Sequence, residues 1–318
     1  MRRLHLVPDD TDIKFMRGRH AGLIVSAVLS IASVILFFTP GLNYGIDFRG
    51  GVVVELRLPE AVDYAALREG LETLHLGEVK LQQFGSPRDV LIKLDARAGS
   101  EDGRRAVQAV LSQRFPGSEM RRVEVVGSKV SSELFNDGLL ATGLALAAIL
   151  IYIWFRFEWQ FGVGVVVTLI LDATKTIGFF ALTRLQFDLN SLAALMILIG
   201  YSVTDKVVVY DRIRENLRKY QAMPLRPLID LSINQTLSRT VVTSLTVLLS
   251  ILPLAFMGGE SVQGFAVTII FGIVVGTSSS IFIASPILLF LGEKRLRPEV
   301  PGEPEPVNRA VYRPATAR

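Results

Sequence analysis

Six long apolar runs constrain this chain more than any other feature. Each is long enough to cross the roughly 30 Å hydrocarbon core of a bilayer as a helix. Half of the 318 residues are hydrophobic and only 20% are charged, against about 25% in soluble domains. This pattern excludes a single-domain soluble enzyme and a disordered chain, and predicts an α-helical polytopic membrane protein. The runs cover residues 21–38, 139–155, 159–183, 189–210, 240–259 and 261–292.

The first run predicts a retained span rather than a cleaved signal peptide. It has no charge over 21–38 and ends at a Thr-Pro-Gly stop, whereas a signal peptide has an apolar core of only about 7–15 residues. We therefore divide the chain into an N-terminal segment, a first transmembrane helix, a large loop domain, five further helices and a tail. Their predicted bounds are 1–20, 21–40, 41–132, 133–292 and 293–318.

Basic residues near the spans predict the orientation, because Lys and Arg are retained on the cytoplasmic side. The loop between the third and fourth runs has only Arg184, and the loop between the fifth and sixth runs has no Lys or Arg. Both termini are therefore predicted to be cytoplasmic. The basic clusters comprise Arg2, Arg3, Lys14, Arg17 and Arg19 at the start, Arg212, Arg214, Arg218, Lys219 and Arg226 between the fourth and fifth runs, and Lys294, Arg295 and Arg297 at the end.

The predicted loop domain reads as one small α+β unit outside the cytoplasm, between the first and second spans. Its strands alternate polar and apolar residues, and its helices have apolar residues at helical spacing. The order β-α-β-β-α-β predicts a ferredoxin-like arrangement, which we interpret as a binding or docking module. The predicted strands cover 51–58, 79–84, 89–95 and 121–130, and the helices cover 61–74 and 103–115.

Composition argues against several kinds of chemistry. Cysteine is absent, and His5, His20 and His75 lie far apart without a metal-binding spacing, so neither a metal nor a cofactor is predicted. The net charge of +4 is too small to suggest nucleic acid as a partner, since orientation already accounts for the basic residues. The lipid bilayer is the expected surrounding.

Four charged residues interrupt the apolar runs, at a cost of about 2.5–3.5 kcal/mol each at a helix centre. Asp172 and Lys175 are three residues apart and could pair on one helix face. Asp205 and Lys206 are adjacent and cannot face each other, so Asp205 must contact another helix, with Arg239 as one candidate partner. Two interpretations stay open: ion pairs that hold helices together, or a carboxylate that binds and releases a cation.

A second charged group closes the fourth run. Asp211, Arg212, Arg214 and Glu215 occur in the sequence YDRIREN. We interpret this cytoplasmic-end charge cluster as an interfacial group that terminates a helix.

The sixth run combines small residues with a proline. Gly272 and Gly276 form a G-x-x-x-G motif, followed by Thr277 and three serines, and then by Pro286. Small residues allow helices to approach closely, so we interpret this run as packing rather than chemistry. The proline-rich tail beyond Arg297 is predicted to be disordered.

Four segments carry a resemblance to a known family: YGIDFRGG at 44–51, IGYSVTDKVVVYDRIREN at 199–216, SINQTLSRT at 232–240 and GIVVGTSSSIFIASP at 272–286. Together they resemble the SecD/SecF family of bacterial protein export. The resemblance covers most of the chain in order, and the chain's length fits a single subunit of that family rather than a fused SecDF.

The first of these segments, which we call the domain-opening motif, contains Gly45, Asp47, Gly50 and Gly51. Its paired glycines permit a tight backbone where the chain leaves the membrane and begins a strand. We interpret Asp47 and Arg49 as turn and interface residues.

The resemblance implies a non-enzymatic accessory subunit in the bacterial inner membrane, within the resistance-nodulation-division superfamily. It implies SecD, the SecYEG channel and exported preproteins as partners, and leaves YajC open as a further one. It also implies that the proton or sodium gradient drives export through Asp205, with Arg239 implicated alongside it.

Two lysines depart from the family pattern. Lys206 follows Asp205 where Thr or Ser is usual, and Lys175 stands where an apolar or hydroxyl residue is common. We hypothesise that both lysines occupy counter-ion positions and replace a bound cation in part of the cycle.

Two other classes of function remain as alternatives. An autonomous small-molecule exporter would need a homodimer, since six spans are half of the usual transporter. An intramembrane aspartyl protease would need two facing carboxylates. Tyr210-Asp211 superficially fits a protease, but no G-x-G-D follows on the next span.

Overall fold

The computed structural model describes residue 8 and residues 11–75, 79–83, 86–94, 101–258 and 260–291, without the side chains at 101, 102, 260 and 261. Six helices in these ranges are long and apolar enough to cross a membrane, which confirms the predicted six-span fold. The predicted disordered tail at 293–318 lies outside the described residues.

A 3-10 turn, Phe15–Gly18, leads into the first span, and a small α/β domain follows that span. The elements up to the end of this domain are α1 (Arg19–Phe38), β1 (Asn43–Tyr44), α2 (Ile46–Arg49), β2 (Gly51–Arg57), α3 (Tyr64–Glu72), β3 (Val79–Gln83), β4 (Asp89–Leu94), α4 (Glu101–Arg114) and β5 (Glu119–Val126).

The remaining elements form the rest of the helix bundle. The sixth span is broken into two α-helices by a π-helical segment, Ser280–Ala284. The elements are α5 (Ser128–Arg156), α6 (Trp159–Thr183), β6 (Gln186–Phe187), α7 (Leu189–Lys219), α8 (Leu225–Met257), α9 (Glu260–Ser279) and, after the π segment, α10 (Ser285–Leu291).

Several helices extend beyond the apolar runs that predicted them. Helix α5 begins at Ser128 rather than 139, α7 continues to Lys219 rather than 210, and α8 begins at Leu225 rather than 240. Hydropathy marks only the part of a helix that crosses hydrocarbon. Because a helix forms its backbone hydrogen bonds internally, it can continue past the hydrocarbon into polar surroundings.

The α/β domain has the predicted ferredoxin-like topology. Its antiparallel sheet has the order β3-β4-β2-β5, and α3 and α4 cover one face. The core combines apolar side chains from that face with others from the two helices. It contains Val52, Val54, Leu56, Leu58, Leu67, Leu71, Val79, Val90, Ile92, Leu94, Val107 and Leu111.

The prediction of a strand over 121–130 is wrong at its C-terminal end. Strand β5 ends at Val126, and Ser128 already belongs to α5. The last residues of the predicted loop domain, 128–132, therefore lie in the helix of the second span. The serines within 128–132 are compatible with the start of a helix. The alternating pattern of the preceding strand hides that start in the sequence.

One end of the bundle carries the α/β domain, and we call it the domain end; we call the opposite end the tail end. At the domain end, β1 pairs in parallel with β6. The ammonium of Lys93 on β4 donates to Gln186 Oε1 at 2.8 Å. These contacts attach the domain to the loop between α6 and α7.

Helices α1 and α6 touch at Gly178. A Cβ atom at this position would lie 2.6 Å from the Cα of Ser33, so the backbones can approach closely only because no side chain is present.

We expect Gly178→Ala to force α1 away from α6 and to lower the free energy of unfolding by roughly 1–3 kcal/mol, the usual cost of overpacking. Thermal unfolding in detergent measures this effect. The matched control is Gly143→Ala on α5, where a Cβ would meet nothing within 4 Å. Equal melting temperatures for the two variants would contradict the close approach.

Candidate functional site

The ammonium of Lys206 lies at the centre of the bundle, and its side chain has no exposed surface. It donates to Asp172 Oδ2 at 2.9 Å, to Ser279 Oγ at 2.8 Å and to Ser202 Oγ. Both serines in turn donate to Asp172 Oδ2, at 2.8 Å from Ser202 and 2.6 Å from Ser279. An ammonium has three N–H donors, so the contacts with Asp172, Ser202 and Ser279 use all of them and connect α6, α7 and α9.

Lys175 forms the second ion pair of Asp172, as its spacing predicts. Its Nζ lies 3.5 Å from Asp172 Oδ1, and that oxygen has no hydrogen-bond partner among the described residues. The nearer cation is therefore Lys206 on a different helix, not the neighbour on the same helix.

Asp205 lies in a separate environment, although it is adjacent to Lys206 in sequence. Its carboxylate accepts hydrogen bonds from Thr240 Oγ1 at 2.8 Å and Ser280 Oγ at 2.5 Å, and the residue is 7% exposed. Among the described residues, no Lys or Arg forms an ion pair with it, whereas Asp172 has two. Asp205 is thus a buried carboxylate that hydroxyls hold and that makes no ion pair within the part of the chain that the structure describes.

The expected contact between Arg239 and Asp205 is not present in the structure. The Arg239 side chain is exposed, and the next residue along α8, Thr240, makes the contact instead. Neighbouring residues on a helix point about 100° apart, so only one of the two can face the bundle interior.

The serines of the sixth span, interpreted from the sequence as packing residues, hydrogen-bond to the two buried carboxylates. Ser279 binds the carboxylate of Asp172 and Ser280 binds that of Asp205. The π-helical segment begins at Ser280, and single π turns in α-helices occur frequently at functional sites. Packing is also present: a Cβ at Gly272 would lie 2.6 Å from Leu198 Cγ.

The charge cluster at the tail end contacts other helices. Asp211 accepts two hydrogen bonds from Arg156 at the end of α5, at 2.6 and 2.8 Å. Arg214 lies 3.5 Å from Glu158 at the start of α6. Arg212 donates to Glu215 at 2.6 Å on its own helix and to a glutamine of α8. The cluster therefore connects α7 to the tail-end termini of α5 and α6 and to α8, starting about 9 Å along α7 from Asp205.

The domain-opening motif lies at the opposite end. Gly50 and Gly51 have φ angles of +77° and +138°, which favour glycine. Asp47 Oδ2 accepts from the N–H of Leu189 at 3.0 Å and so caps the first turn of α7. A Cβ at Gly45 would lie 2.9 Å from Gln186 Nε2.

A second carboxylate, Asp188, adjoins this motif at the start of α7. Its side chain accepts from the N–H and the hydroxyl of Ser191, at 2.8 and 2.7 Å. Burial raises the pKa of Asp188, and the charge of Asp47 acts in the same direction.

The predicted site residues therefore fall into three places. Asp172, Lys175 and Lys206 meet, with Asp205 next to them, while the tail-end cluster and the domain-opening motif lie apart. The residues that sequence reasoning missed are the hydroxyls around the two carboxylates. The sequence feature that could have revealed them is the repeated occurrence of Ser and Thr in apolar helices, one turn from a charged residue. The described residues contain no group of three or more His, Cys, Asp or Glu side chains that could hold a metal ion.

Six spans, a small α/β domain in the first loop and buried ionisable residues in the bundle are features of membrane transport components, since intramembrane charges mark ion and substrate pathways. Comparison with known proteins identifies the family. The description "Protein export membrane protein SecD/SecF, C-terminal" matches residues 106–294, and "SecD/SecF GG Motif" matches residues 35–58. The chain belongs to the SecD/SecF family.

Relatives of similar length carry one name. The protein translocase subunit SecF of Rickettsia bellii is 44% identical over 297 residues, which cover 92% of this chain and 97% of the relative. The SecF of Cereibacter sphaeroides is 42% identical over 308 residues, covering 93% and 95%.

Solved structures of SecDF show the same fold. SecDF of Thermus thermophilus matches with a TM-score of 0.81 and 35% identity over 90% of this chain. A SecDF structure in a super-membrane-facing form matches with a TM-score of 0.62 and 34% identity over 90%. The chain spans 39% of each SecDF chain.

We expect Lys206→Met to destabilise the bundle by about 3–5 kcal/mol, because it leaves the Asp172 carboxylate buried without its nearer cation. Adding Asp172→Asn should recover only part of this loss, because a neutral amide needs no counter-ion but the buried Lys175 then loses its ion pair. Thermal unfolding of the two single variants and the double variant, in detergent at neutral pH, measures the coupling.

The matched control is Lys175→Met, which removes the longer of the two ion pairs and should cost less. A cost for Lys175→Met equal to that of Lys206→Met would contradict the assignment of Lys206 as the main counter-ion.

Proposed function

We propose that this protein is an accessory subunit of the Sec protein-export machinery. In this proposal it acts with SecD and uses the proton or sodium gradient to promote preprotein translocation across the bacterial inner membrane. The observation that carries the proposal is Asp205, a buried carboxylate among apolar helices that only hydroxyls hold. The names of the SecF relatives support the export role.

The two buried acids would have different roles. Asp172 has two lysines within 3.5 Å, so ion pairs within the chain hold it in its ionised form. Among the described residues the hydrogen-bond partners of Asp205 are hydroxyls, so its carboxylate is the one that would take up a proton or sodium ion from solution. A gradient supplies about 2.3 kcal/mol per charge per 100 mV, which is comparable with the cost of burying the group.

The π segment offers a route from Asp205 to the α/β domain. Ser280, which binds Asp205, is its first residue, and Phe282 within it packs against Phe15 with ring centroids 6.2 Å apart. A Cβ at Gly22 of α1 would lie 2.8 Å from Phe282 Cβ. Helix α1 leads directly into the domain-opening motif, so a shift of the π segment would move α1 and the domain with it.

A partner subunit would complete the assembly. The chain corresponds to 39% of SecDF, which supports SecD as the companion chain. Arg239, Thr204 and Ile197 are exposed on the spans next to Asp205. A guanidinium in an apolar span is costly in lipid, and an acidic residue of SecD would neutralise it. Family membership supports the SecYEG channel and exported preproteins as further partners, with YajC still open.

The orientation is also part of the proposal. The basic flanks support an orientation with both termini and the tail end in the cytoplasm and the α/β domain in the periplasm. There the domain would meet exported chains as they emerge.

The alternative functions have weaker support. An autonomous small-molecule exporter finds no support in the names of the relatives, which are those of a translocase subunit. A protease would need two carboxylates at one site, whereas Asp172 and Asp205 bind different sets of partners.

We expect Asp205→Asn to remove the contribution of the gradient to preprotein export while the complex with SecD still assembles. The amide oxygen can accept a hydrogen bond from one of Thr240 and Ser280, and the amide NH2 can donate to the hydroxyl of the other, but the side chain cannot exchange a cation. The measurement is the rate of export completion in inverted vesicles, with and without a gradient, at equal expression.

The control for this experiment is Asp137→Asn, which changes an exposed carboxylate on α5 and should leave gradient dependence intact. Unchanged gradient dependence in Asp205→Asn would mean that its carboxylate is structural and that coupling lies in the partner subunit.

We expect replacement of both lysines, Lys175→Thr with Lys206→Thr, to change the ion or pH dependence of export. Without them Asp172 has no internal counter-ion and would need one from solution. Export rates measured against pH and against sodium concentration test this. If both curves stay unmoved, the lysines are structural.

A further inference from the structure

Three further hydroxyls form a chain close to Asp205. Tyr201 Oη lies 2.6 Å from Ser244 Oγ, and Ser244 Oγ lies 3.0 Å from Thr277 Oγ1. They come from α7, α8 and α9 and so bridge the three helices that surround Asp205. These three hydroxyls take no part in the ion pairs described above or in the hydrogen bonds to the two carboxylates.

The hydroxyl chain lies one helical turn from Asp205 towards the domain end. Tyr201 precedes Asp205 by four residues on α7, which begins at the domain end. Ser244 and Thr277 are four and three residues closer to that end than the two hydroxyls that hold the carboxylate. Residues at such spacings have Cβ atoms about 5–6 Å apart, and a bridging water can connect polar groups that do not touch directly.

Beyond the hydroxyl chain lies an apolar cluster and then a cleft. The cleft, of about 500 Å³, lies between the sheet and the domain-end loops, and Glu55, Asp188 and Gln263 are among its lining residues. Phe265 lines the cleft and also packs into the apolar cluster, as Tyr201 does. The cluster therefore separates the polar cleft from the hydroxyl chain. Its other members are Ala194, Leu198, Leu248, Ile251, Ile269 and Ile273.

We propose that the hydroxyl chain Tyr201–Ser244–Thr277 relays protons between the cleft at the domain end and Asp205, with the apolar cluster as its gate. This inference rests on the proposed coupling role of Asp205. A hydroxyl can accept a proton on oxygen while it releases its own. One transfer thus moves a proton along the chain without net chemical change, and rotation of the hydroxyls resets it.

The charges around Asp205 suit this route. Lys206 on α7 and Lys175 on α6 both face Asp172, while α8 and the π segment present hydroxyls to Asp205 and α8 turns Arg239 outwards. Two acids and two lysines balance to zero, so a proton on Asp205 gives the cluster one net positive charge. Protons arriving through the relay would therefore change the net charge at the centre of the bundle.

The test removes the hydroxyls one at a time in the complex with SecD. We expect Tyr201→Phe, Ser244→Ala and Thr277→Val each to slow gradient-driven export about tenfold. This is less than the ~100-fold or more that a positioned proton-transfer group contributes, because water can partly replace one hydroxyl. We also expect a larger solvent deuterium isotope effect on the gradient-driven rate, which a purely structural defect would not produce.

The controls keep or remove hydroxyls elsewhere. Ser244→Thr and Thr277→Ser retain the relay oxygen and should restore both the rate and the isotope effect. Ser250→Ala, Thr246→Val and Tyr152→Phe remove exposed hydroxyls from α8 and α5 and should change neither quantity. Tyr201→Phe deletes a single oxygen and so serves as the mildest variant if the others unfold.

The outcomes separate the two proposals. If Asp205→Asn abolishes gradient dependence while all three relay variants behave as wild type, the relay is wrong and the coupling role stands. If Asp205→Asn has no effect, the coupling role fails and the relay fails with it. Full stimulation by a sodium gradient without a proton gradient would also overturn the relay, because its hydroxyls would then carry no protons.

Discussion

The fully buried ammonium of Lys206 is the contact on which the bundle's interior depends. Its three donors bind Asp172, Ser202 and Ser279 and so fix α6, α7 and α9 relative to one another. Because consecutive residues point about 100° apart on a helix, fixing Lys206 also directs Asp205 towards α8 and the π segment. One charge pair thus both stabilises the bundle and positions the carboxylate that binds hydroxyls instead of forming an ion pair with a described residue.

The break in the sixth span follows from the same constraint. Ser279 and Ser280 bind different carboxylates, and the helix changes from α to π at this point. Ser285 Oγ returns to the carbonyl of Ser280, and Tyr210 donates to the carbonyl of Ala284. These side chains satisfy backbone groups that the wider turn displaces, which lets an irregular segment persist inside an apolar bundle.

The domain end shows how a loop domain can be attached to such a bundle. The domain-opening motif caps α7 through Asp47 and reverses direction at Gly50 and Gly51, so α1, α7 and strand β2 meet within a few residues. The motif therefore connects α1, α7 and the sheet within a short stretch of chain. The cleft beneath the sheet lies on the same path.

The sequence by itself determined the six spans, the ferredoxin-like order of the loop domain and the paired glycines of its opening motif. These are local properties, since apolar length, periodicity and backbone demands are contained in consecutive residues. Only the tertiary structure decided that Lys206 binds Asp172, that Thr240 rather than Arg239 meets Asp205, and that the serines of the sixth span bind carboxylates. Such contacts depend on the rotation and depth of each helix against its neighbours. Periodicity within one helix does not fix that rotation against its neighbours, so it cannot say which of Arg239 and Thr240, about 100° apart around α8, meets Asp205.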